Sequence, residues 1–245
     1  MFRHRGKTRT LKHNLQIASL LSFVAGIVNV AGFLSVQRLT TNVTGHFAFL
    51  VDEVFKFNIA QAVVMFLYIF CFFVGSFVSG LLFEIISRKS ERFIYIPPVV
   101  IELIMLTFIS FSSISFTVQH PDVIACSLLF AMGLQNSLVT TISDSMVRTT
   151  HLTGLFTDLG IELSQLFYYT HDAQRKKLFS SIKLRLTIIL FFFLGGISSG
   201  LLFKKLGIRV LLLASFLLLA GLIFDTVKFQ LILLTRKIVG VKMGL

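Results

Sequence analysis

Charged residues are scarce in this chain, and their scarcity argues against a soluble globular domain. Only 14% of the 245 residues are Asp, Glu, Lys or Arg, whereas about a quarter is usual in soluble domains. The charges also lie in clusters between long apolar runs, and 55% of the residues are hydrophobic, with a mean hydropathy of +0.87. This pattern is typical of a polytopic membrane protein.

Signatures of catalysis and metal binding are also missing. The sequence contains no H-E-x-x-H and no Walker loop. Cys71 and Cys126 lie inside apolar runs and indicate neither a disulfide framework nor a metal site. The six histidines lack ligand spacing, and His151 with Asp158 on one helix face is too little for a hydrolase. We therefore expect no enzymatic activity, no metal and no cofactor.

The net charge of +12 could suggest a nucleic-acid partner, but its distribution favours a membrane. The positive residues flank the apolar runs, and the basic N-terminal arm, residues 1–14, contains RHRGKTRTLKH. Such an arm could contact RNA, but a topology signal that touches anionic lipid fits its position better. The apolar stretch that follows is longer than the roughly 7–15 residues of a signal-peptide core, and no A-x-A site follows it, which predicts a retained helix.

Six apolar runs approach the length of about 20 residues that crosses a bilayer. Two weaker segments, 44–57 and 153–170, are predicted as short broken or re-entrant helices. With both chain ends inside, six spans place 18 lysines and arginines on the inner side and five on the outer side, whereas eight spans give 15 and eight. The prediction is an all-α membrane protein with cytoplasmic termini and six spanning helices, at residues 15–36, 59–83, 93–118, 123–142, 186–203 and 208–224.

Three stretches of the first half recur in the same order in the second half. FVAGIVN at 23–29 corresponds to FAMGLQN at 130–136. TTNVTGHF at 40–47 corresponds to TTHLTGLF at 149–156, and FFVGSFVSGLLF at 72–83 to FFLGGISSGLLF at 192–203. Three matches in one order predict an internal duplication.

The repeats are predicted to be inverted. Repeat 1, residues 15–118, and repeat 2, residues 119–226, each contain three spans, so the second repeat enters from the opposite side of the membrane. A basic cytoplasmic tail, residues 227–245, follows them. Inverted repeats are common in transporters, in which the substrate site lies where the two halves meet.

The stretches FVAGIVNVAGF, TTNVTGHF and GSFVSGLLF together resemble the YoaK-like membrane proteins (domain of unknown function 1275), over nearly the whole chain. The resemblance implies a polytopic protein of the bacterial inner membrane and implies no particular substrate. Members of that family commonly have Thr-Gly-Asn where this chain has Thr44, Gly45 and His46. His46 is therefore a variant to explain.

Each Thr-Gly phrase is predicted to begin a helix, capped by its threonine, with a glycine that allows close approach of another group. One interpretation is a capped helix after a loop. The other is a half-helix whose free N–H groups point at a central site and favour an anion. The candidate substrate-binding residues are Asn29, Arg38, Thr40, Thr41, Thr44, Gly45, His46, Asn136, Arg148, Thr149, Thr150, Thr153 and Gly154.

Two kinds of side chain in that set have simpler alternatives. Asn29 and Asn136 could form hydrogen bonds between helices instead of lining a site. Arg38 and Arg148 could contact lipid headgroups instead of a solute.

Four carboxylates are candidates for coupling transport to a proton or a cation. Glu53 and Glu162 are equivalent under the repeat, and Asp158 lies one turn before Glu162. All three could instead be exposed at the interface or pair with the arginines. Glu102 lies inside the 93–118 run, where a carboxylate is a functional candidate by default. Burial would favour its neutral form, which suits proton coupling, although a neutral structural glutamate is the alternative.

Small residues recur in two equivalent runs and predict close helix packing. They could join runs 59–83 and 186–203, or form a homodimer face, through Ser76, Gly80, Gly196 and Gly200. The sequence as a whole predicts a transporter or channel for a small polar or anionic solute. The alternatives are a membrane scaffold or lipid-interacting protein, and an intramembrane enzyme, for which the polar residues are too dispersed.

Overall fold

The computed structural model describes residues 9–88 and 93–242, with side chains as far as Val227, and all regular structure in this part is helical. Residues 1–8 of the basic arm, residues 89–92 and residues 243–245 lie outside the described residues. The helices are α1 Leu11–Val36, α2 Val43–Phe55, α3 Ile59–Ser87, α4 Ile96–Ser110, α5 Ile114–Gln119, α6 Pro121–Ile142, α7 Leu152–Gln165, α8 Asp172–Leu206 and α9 Leu211–Lys242. A 3-10 turn at Gly207–Val210 joins α8 to α9.

Four helical stretches of the described chain are long and apolar enough to cross a membrane, which is typical of a helical membrane protein. Three are α1, α3 and α6, and the fourth is the continuous 56-residue stretch Asp172–Val227. At about 1.5 Å per residue, that stretch is too long for one crossing of a hydrocarbon layer about 30 Å thick. Gly207, with a φ of +57°, marks the junction of α8 and α9 inside it.

The predicted span 93–118 is wrong as a single helix. α4 ends at Ser110, and α5 begins after a turn in which Ser113 accepts a hydrogen bond from the Phe116 N–H at 3.1 Å. Apolar content alone misses this break, because Ser112 and Ser113 offer the backbone a turn and a cap. Pro97 and Pro98 lie in the first turn of α4 and begin that helix rather than kink it.

The predicted span 186–203 begins too late, and the predicted span 208–224 ends too early. α8 begins at Asp172 and α9 continues to Lys242, well beyond the apolar runs 186–203 and 208–224. The additional segment of α8 is polar and basic but contains good helix formers, so the helix extends past its apolar part. The short segments are helices of 13 residues for α2 and 14 for α7, about 20 Å long, and therefore shorter than the hydrocarbon layer.

The long helices pack in two pairs, α1 with α8 and α3 with α6. Each contact depends on glycine, because an added Cβ would overlap a backbone carbonyl of the partner helix. The four clashes are Gly26 with Phe192, Gly195 with Phe23, Gly75 with Phe130 and Gly133 with Phe72. Within each pair the contacts are reciprocal, and the two pairs use equivalent positions of the duplicated stretches.

Both pairs run parallel, because the numbers of the contacting residues rise together along the two helices. Phe23 meets Gly195, and the Ser199 hydroxyl donates to the Ile27 carbonyl at 3.1 Å. α1 and α8 therefore begin at the same end of the bundle, called here the near end. α3 and α6 begin at the far end, where Arg38, just after α1, lies against Asp122 at the start of α6.

The small residues of α3 and α8 contact other partners than expected. Ser76 donates to the Gly133 carbonyl at 3.2 Å, and Gly80 lies near Ser137, so α3 packs on α6. Gly196 and Gly200 lie near Val30, so α8 packs on α1. The predicted contact between runs 59–83 and 186–203 is therefore wrong, because each run packs on a different helix of the same chain. The homodimer face stays a prediction.

α1 and α6 form the centre of the bundle, and α3 and α8 flank it. The Gln135 side chain of α6 donates to the Leu21 carbonyl of α1 at 3.0 Å, inside an interface of fully buried apolar residues. The flanking helices each present an exposed apolar stripe at equivalent positions of the duplication. The stripes are Phe66, Phe70, Phe73 and Phe77 on α3, and Leu186, Leu190, Phe193 and Ile197 on α8.

Candidate functional site

The first Thr-Gly phrase folds back along α1 instead of leaving the bundle. The hydroxyl of Thr40 donates to the Val28 carbonyl at 3.2 Å, and Thr41 donates to Asn29 Oδ1 at 2.7 Å. Val28 precedes the last residue of α1, Val36, by about 12 Å along the helix axis. α2 therefore begins within the depth of the bundle.

The second phrase is held in the same way on α6. Thr149 and Thr150 both donate to Asn136 Oδ1, at 3.2 and 3.0 Å. Gln135 adds a hydrogen bond of 3.2 Å to the Thr149 hydroxyl. The two asparagines thus fix the phrases that precede α2 and α7.

The threonines of the Thr-Gly dipeptides do not cap these helices, so that prediction is wrong. α2 begins at Val43, and Asn42 caps it by accepting from the Gly45 N–H at 3.0 Å. α7 begins at Leu152 without a side-chain cap. Thr44 and Thr153 are exposed second residues of their helices, because each helix begins one residue earlier than predicted.

The glycines of the two phrases do permit close approach, as predicted, but to their own loops. A Cβ on Gly45 would lie 2.6 Å from the Leu39 side chain, and one on Gly154 would lie 2.5 Å from the His151 ring. The two helix starts also lie apart, since α2 packs on α3 and α7 packs on α8. Each start has different chemistry around it.

An ionic network lies beside the first phrase, at the far end. Arg38 donates from Nε to the Tyr68 hydroxyl at 3.2 Å, and Tyr68 donates to Asp122. Arg38 also lies 3.8 Å from Asp122, with both side chains partly exposed. These contacts tie the segment before α2 to α3 and to the start of α6.

His46 supports the far-end network from α2. Its Nε2 donates to the Leu39 carbonyl at 2.6 Å, and its ring centroid lies 4.9 Å from that of Tyr68. His46 is almost fully buried. The histidine therefore closes the turn before α2 and packs against Tyr68, which accounts for its presence in the phrase.

A polar cavity of about 280 Å³ lies beside the second phrase, at the near end. Three predicted residues line it, namely Arg148, Gly154 and Asp158. Its remaining wall comes from the preceding loop and from α7 and α8, through Ser145, Met146, His151, Leu155, Ser181, Leu184 and Arg185. All of these residues belong to the second half of the chain.

Arg185 organises the carboxylates of this cavity. Its Nη1 lies 2.9 Å from Asp158 Oδ2, and its Nε and Nη2 donate to the two Glu162 oxygens at 2.8 and 2.9 Å. The Ser181 hydroxyl also donates to Glu162, at 2.6 Å. Glu162 is mostly buried, whereas half of the Asp158 side chain is exposed. Asp158 is thus the carboxylate that faces the open part of the cavity.

The other two coupling candidates have contrasting surroundings. Glu53 accepts from the Asn58 side chain at 2.8 Å, where α2 turns into α3. Glu102 is fully buried in α4, and neither of its carboxyl oxygens has a hydrogen-bond partner among the described residues. An unpaired buried charge is costly, so this environment favours the neutral carboxyl group.

An apolar groove of about 690 Å³ lies on the outer surface and is lined by α1, α7 and α8. Asn29 is the polar residue of its lining, and Leu152 and Phe156 of α7 form one edge. The other edge is the apolar stripe of α8 from Leu186 to Ile197. The groove therefore offers space for alkyl chains rather than for a polar solute.

Sequence reasoning missed several residues of these networks. Tyr68 is one hydroxyl within an apolar run, and Asp122 and Arg185 lie near the ends of apolar runs, so none of the three was a candidate. Gln135, next to Asn136, was an available signal, because an amide inside an apolar helix needs a partner. The partners of these groups depend on helix packing, which the spacing of residues along the sequence does not reveal.

Comparison with known proteins identifies a family rather than an individual relative. No curated protein and no solved structure matches the chain. The family described as Protein of unknown function (DUF1275) matches from residue 17 to residue 224. This match contains both Thr-Gly phrases, the far-end network and the polar cavity. Because it covers most of the sequence, the chain belongs to the DUF1275 family.

Proposed function

We propose that this protein is a membrane transporter or channel for a small polar solute. The observation that carries the proposal is the charged cavity of about 280 Å³ at the near end, beside a helix that begins within the depth of the bundle. Its volume lies just below the range of about 300–1,000 Å³ for sites of drug-sized ligands, which suits a small solute. Transporter sites are typically formed where a helix begins within the membrane rather than at its surface.

The proposed architecture is two inverted repeats with six crossings in a bacterial inner membrane, with both termini in the cytoplasm. The reciprocal glycine contacts at equivalent positions, and the parallel packing of α1 with α8 and of α3 with α6, support it. α2 and α7 would then be re-entrant. The excess of basic residues on the near side supports a cytoplasmic near end.

The proposed mechanism is alternating exposure, with the near end open in this conformation. The far end is tied by Arg38, Tyr68 and Asp122, whereas the near-end cavity is accessible beside Arg148. Glu102 is the proposed coupling group, because a neutral buried carboxyl group can release its proton when the surrounding helices move. Because the interface of α1 and α6 is tightly packed, the proposed site lies beside the centre of the bundle, within the second half, and not between the two repeats as predicted.

Uptake into proteoliposomes tests this function. Purified protein would be assayed with a panel of small anions and polar metabolites, with and without a pH gradient. We expect saturable uptake of one class, its loss in Arg148→Gln and the loss of its pH dependence in Glu102→Gln. Uptake that keeps its pH dependence in Glu102→Gln would exclude Glu102 as the coupling group, and unchanged uptake in Arg148→Gln would exclude Arg148 from the path. No uptake of any class would refute transport.

A lipid-interacting protein without a transport path is the second candidate. The observation that favours it is the apolar groove of about 690 Å³ between α1, α7 and α8. Lipid that co-purifies with the wild type, and is lost when Ile197→Trp fills the groove from an exposed position, would support this function if no solute is taken up.

A further inference from the structure

The charge distribution in the near-end cavity separates one positive from one negative position. Arg185 alone faces both Asp158 and Glu162, so these three residues together carry one net negative charge. Asp158 uses Oδ2 for Arg185, and half of its side chain remains exposed. The negative end of the cavity is therefore Asp158.

Arg148 is the positive end. It lines the same cavity, is exposed, and has no ion-pair partner among the described side chains of residues 9–88 and 93–227. Lys183, the nearest other cation along α8, lines a different, apolar surface depression with Phe179 and Leu186. The charged residues of the lining are Arg148, Asp158 and Arg185, and Glu162 lies behind them, paired with Arg185. Together these four side chains sum to zero, with the positive charge of Arg148 unmatched at one position and a surplus negative charge around Arg185 at the other.

A simple anion fits this arrangement poorly, because it would meet the surplus carboxylate. A simple cation would meet Arg148 in the same way. A molecule with a carboxylate for Arg148 and an ammonium group for Asp158 satisfies both positions, and guanidinium–carboxylate contacts are among the stronger hydrogen bonds in proteins.

We propose that the near-end cavity binds a small zwitterion of the α-amino-acid type, with its carboxylate on Arg148 and its ammonium group on Asp158. Transport of that solute rests on the proposed function, whereas its binding does not. Ser181 and Arg185 hold Glu162, and Arg185 also positions Asp158. This zwitterionic class of solute replaces the anionic solute that the Thr-Gly phrases alone suggested.

Binding to the full-length protein in detergent tests the proposal. The probes are α-amino acids of increasing size, each beside the acid that lacks its amino group and the amine that lacks its carboxylate. In calorimetric titrations we expect at least one amino acid to bind at least tenfold more tightly than both of its single-charge analogues. If the acid binds as tightly as the amino acid, or if no amino acid binds, the proposal is wrong.

Two substitutions assign the charges. Arg148→Gln should remove the preference over the amine, and Asp158→Asn should remove the preference over the acid. Arg175→Gln and Asp172→Asn are matched controls, because both residues are exposed on α8 and lie outside the cavity lining. Circular dichroism and size-exclusion profiles separate lost binding from lost folding, and unchanged preferences in folded variants would overturn the assignment.

Transport assays distinguish the two proposals. An amino acid that binds but is not taken up by proteoliposomes would support this inference and refute transport. Uptake of an anion with no preference for a zwitterion would support transport and refute this inference.

Discussion

Gly26 of α1 lies directly against the backbone carbonyl of Phe192 in α8, with no room for a Cβ between the two helices. Gly195 meets the Phe23 carbonyl in the same manner, so each helix supplies both a glycine and a carbonyl to the contact. Backbone atoms cannot rotate away as the end of a flexible side chain can. This contact therefore sets the distance between α1 and α8.

Gly26→Ala should destabilise the protein strongly. Overpacking of a close contact costs about 1–3 kcal/mol, and here it must displace a helix backbone. The melting temperature in detergent should fall clearly. Gly133→Ala, in the contact of α6 with α3, should lower it in the same way. Gly160→Ala is the control, since a Cβ there meets nothing within 4 Å; an equal fall in the control would contradict the packing argument.

Asn136→Ala should loosen the second Thr-Gly phrase. The Asn136 oxygen accepts from both Thr149 and Thr150, and each hydrogen bond contributes about 1 kcal/mol. A double-mutant cycle with Thr150→Val should give a coupling energy, measured by thermal unfolding. Thr157→Val should not couple to Asn136, because its hydroxyl bonds to the Thr153 carbonyl within α7.

Glu162→Gln should lower stability more than Asp52→Asn. Glu162 is mostly buried and receives two hydrogen bonds from Arg185, so its loss should cost about 1–3 kcal/mol. Asp52 pairs with Lys56 in an exposed position, where a salt bridge contributes about 0–1 kcal/mol. Unfolding in detergent compares the two variants directly, and equal effects would show that the buried cluster contributes no special stability.

Glu102 should react with a hydrophobic carbodiimide, which modifies protonated carboxyl groups in apolar surroundings. Its burial without a hydrogen-bond partner among the described residues favours the protonated form. Mass spectrometry should place the adduct on Glu102, and Glu102→Gln should fold normally and remain unmodified. Glu84→Gln, an exposed position on α3, should leave the labelling unchanged. Persistent labelling of Glu102→Gln at the same peptide would contradict this assignment.

Single cysteines should report two opposite faces of the membrane. In a background with Cys71→Ser and Cys126→Ser, Gln119→Cys and Lys205→Cys belong to the far end, and Tyr168→Cys belongs to the near end. A membrane-impermeant maleimide added to intact cells should label the first two positions and spare the third. Labelling of Tyr168→Cys together with Gln119→Cys would contradict the six-crossing topology.

Much of the helical architecture could be predicted from the sequence. The apolar runs gave α1, α3 and α6 to within a few residues at most ends, because hydropathy over about 20 residues reflects the membrane directly. Hydropathy failed at α4 and α5, where two serines end and restart a helix inside an apolar run. It also failed for α8, whose first turns are polar yet helical.

The candidate site was only partly predictable. Arg148 and Gly154 were selected from the repeat and Asp158 from its position one turn before Glu162, and all three line one cavity. Arg185, which pairs with Asp158 and Glu162, lies far along the chain, and its role follows from the packing of α7 on α8. The equivalent phrase of the first half meets Tyr68 and Asp122 instead, because the two copies have diverged in the helices that surround them.

The sequence by itself determined that the chain forms apolar helices, that it contains two copies of a polar phrase, and that those copies follow matching helices. These properties depend on local composition and on intervals along the chain. Only the tertiary structure decided that α1 packs on α8 and α3 on α6, and that one phrase closes an ionic network while the other borders a cavity. Both outcomes depend on where glycines let two backbones touch, and those contacts join residues more than 50 positions apart.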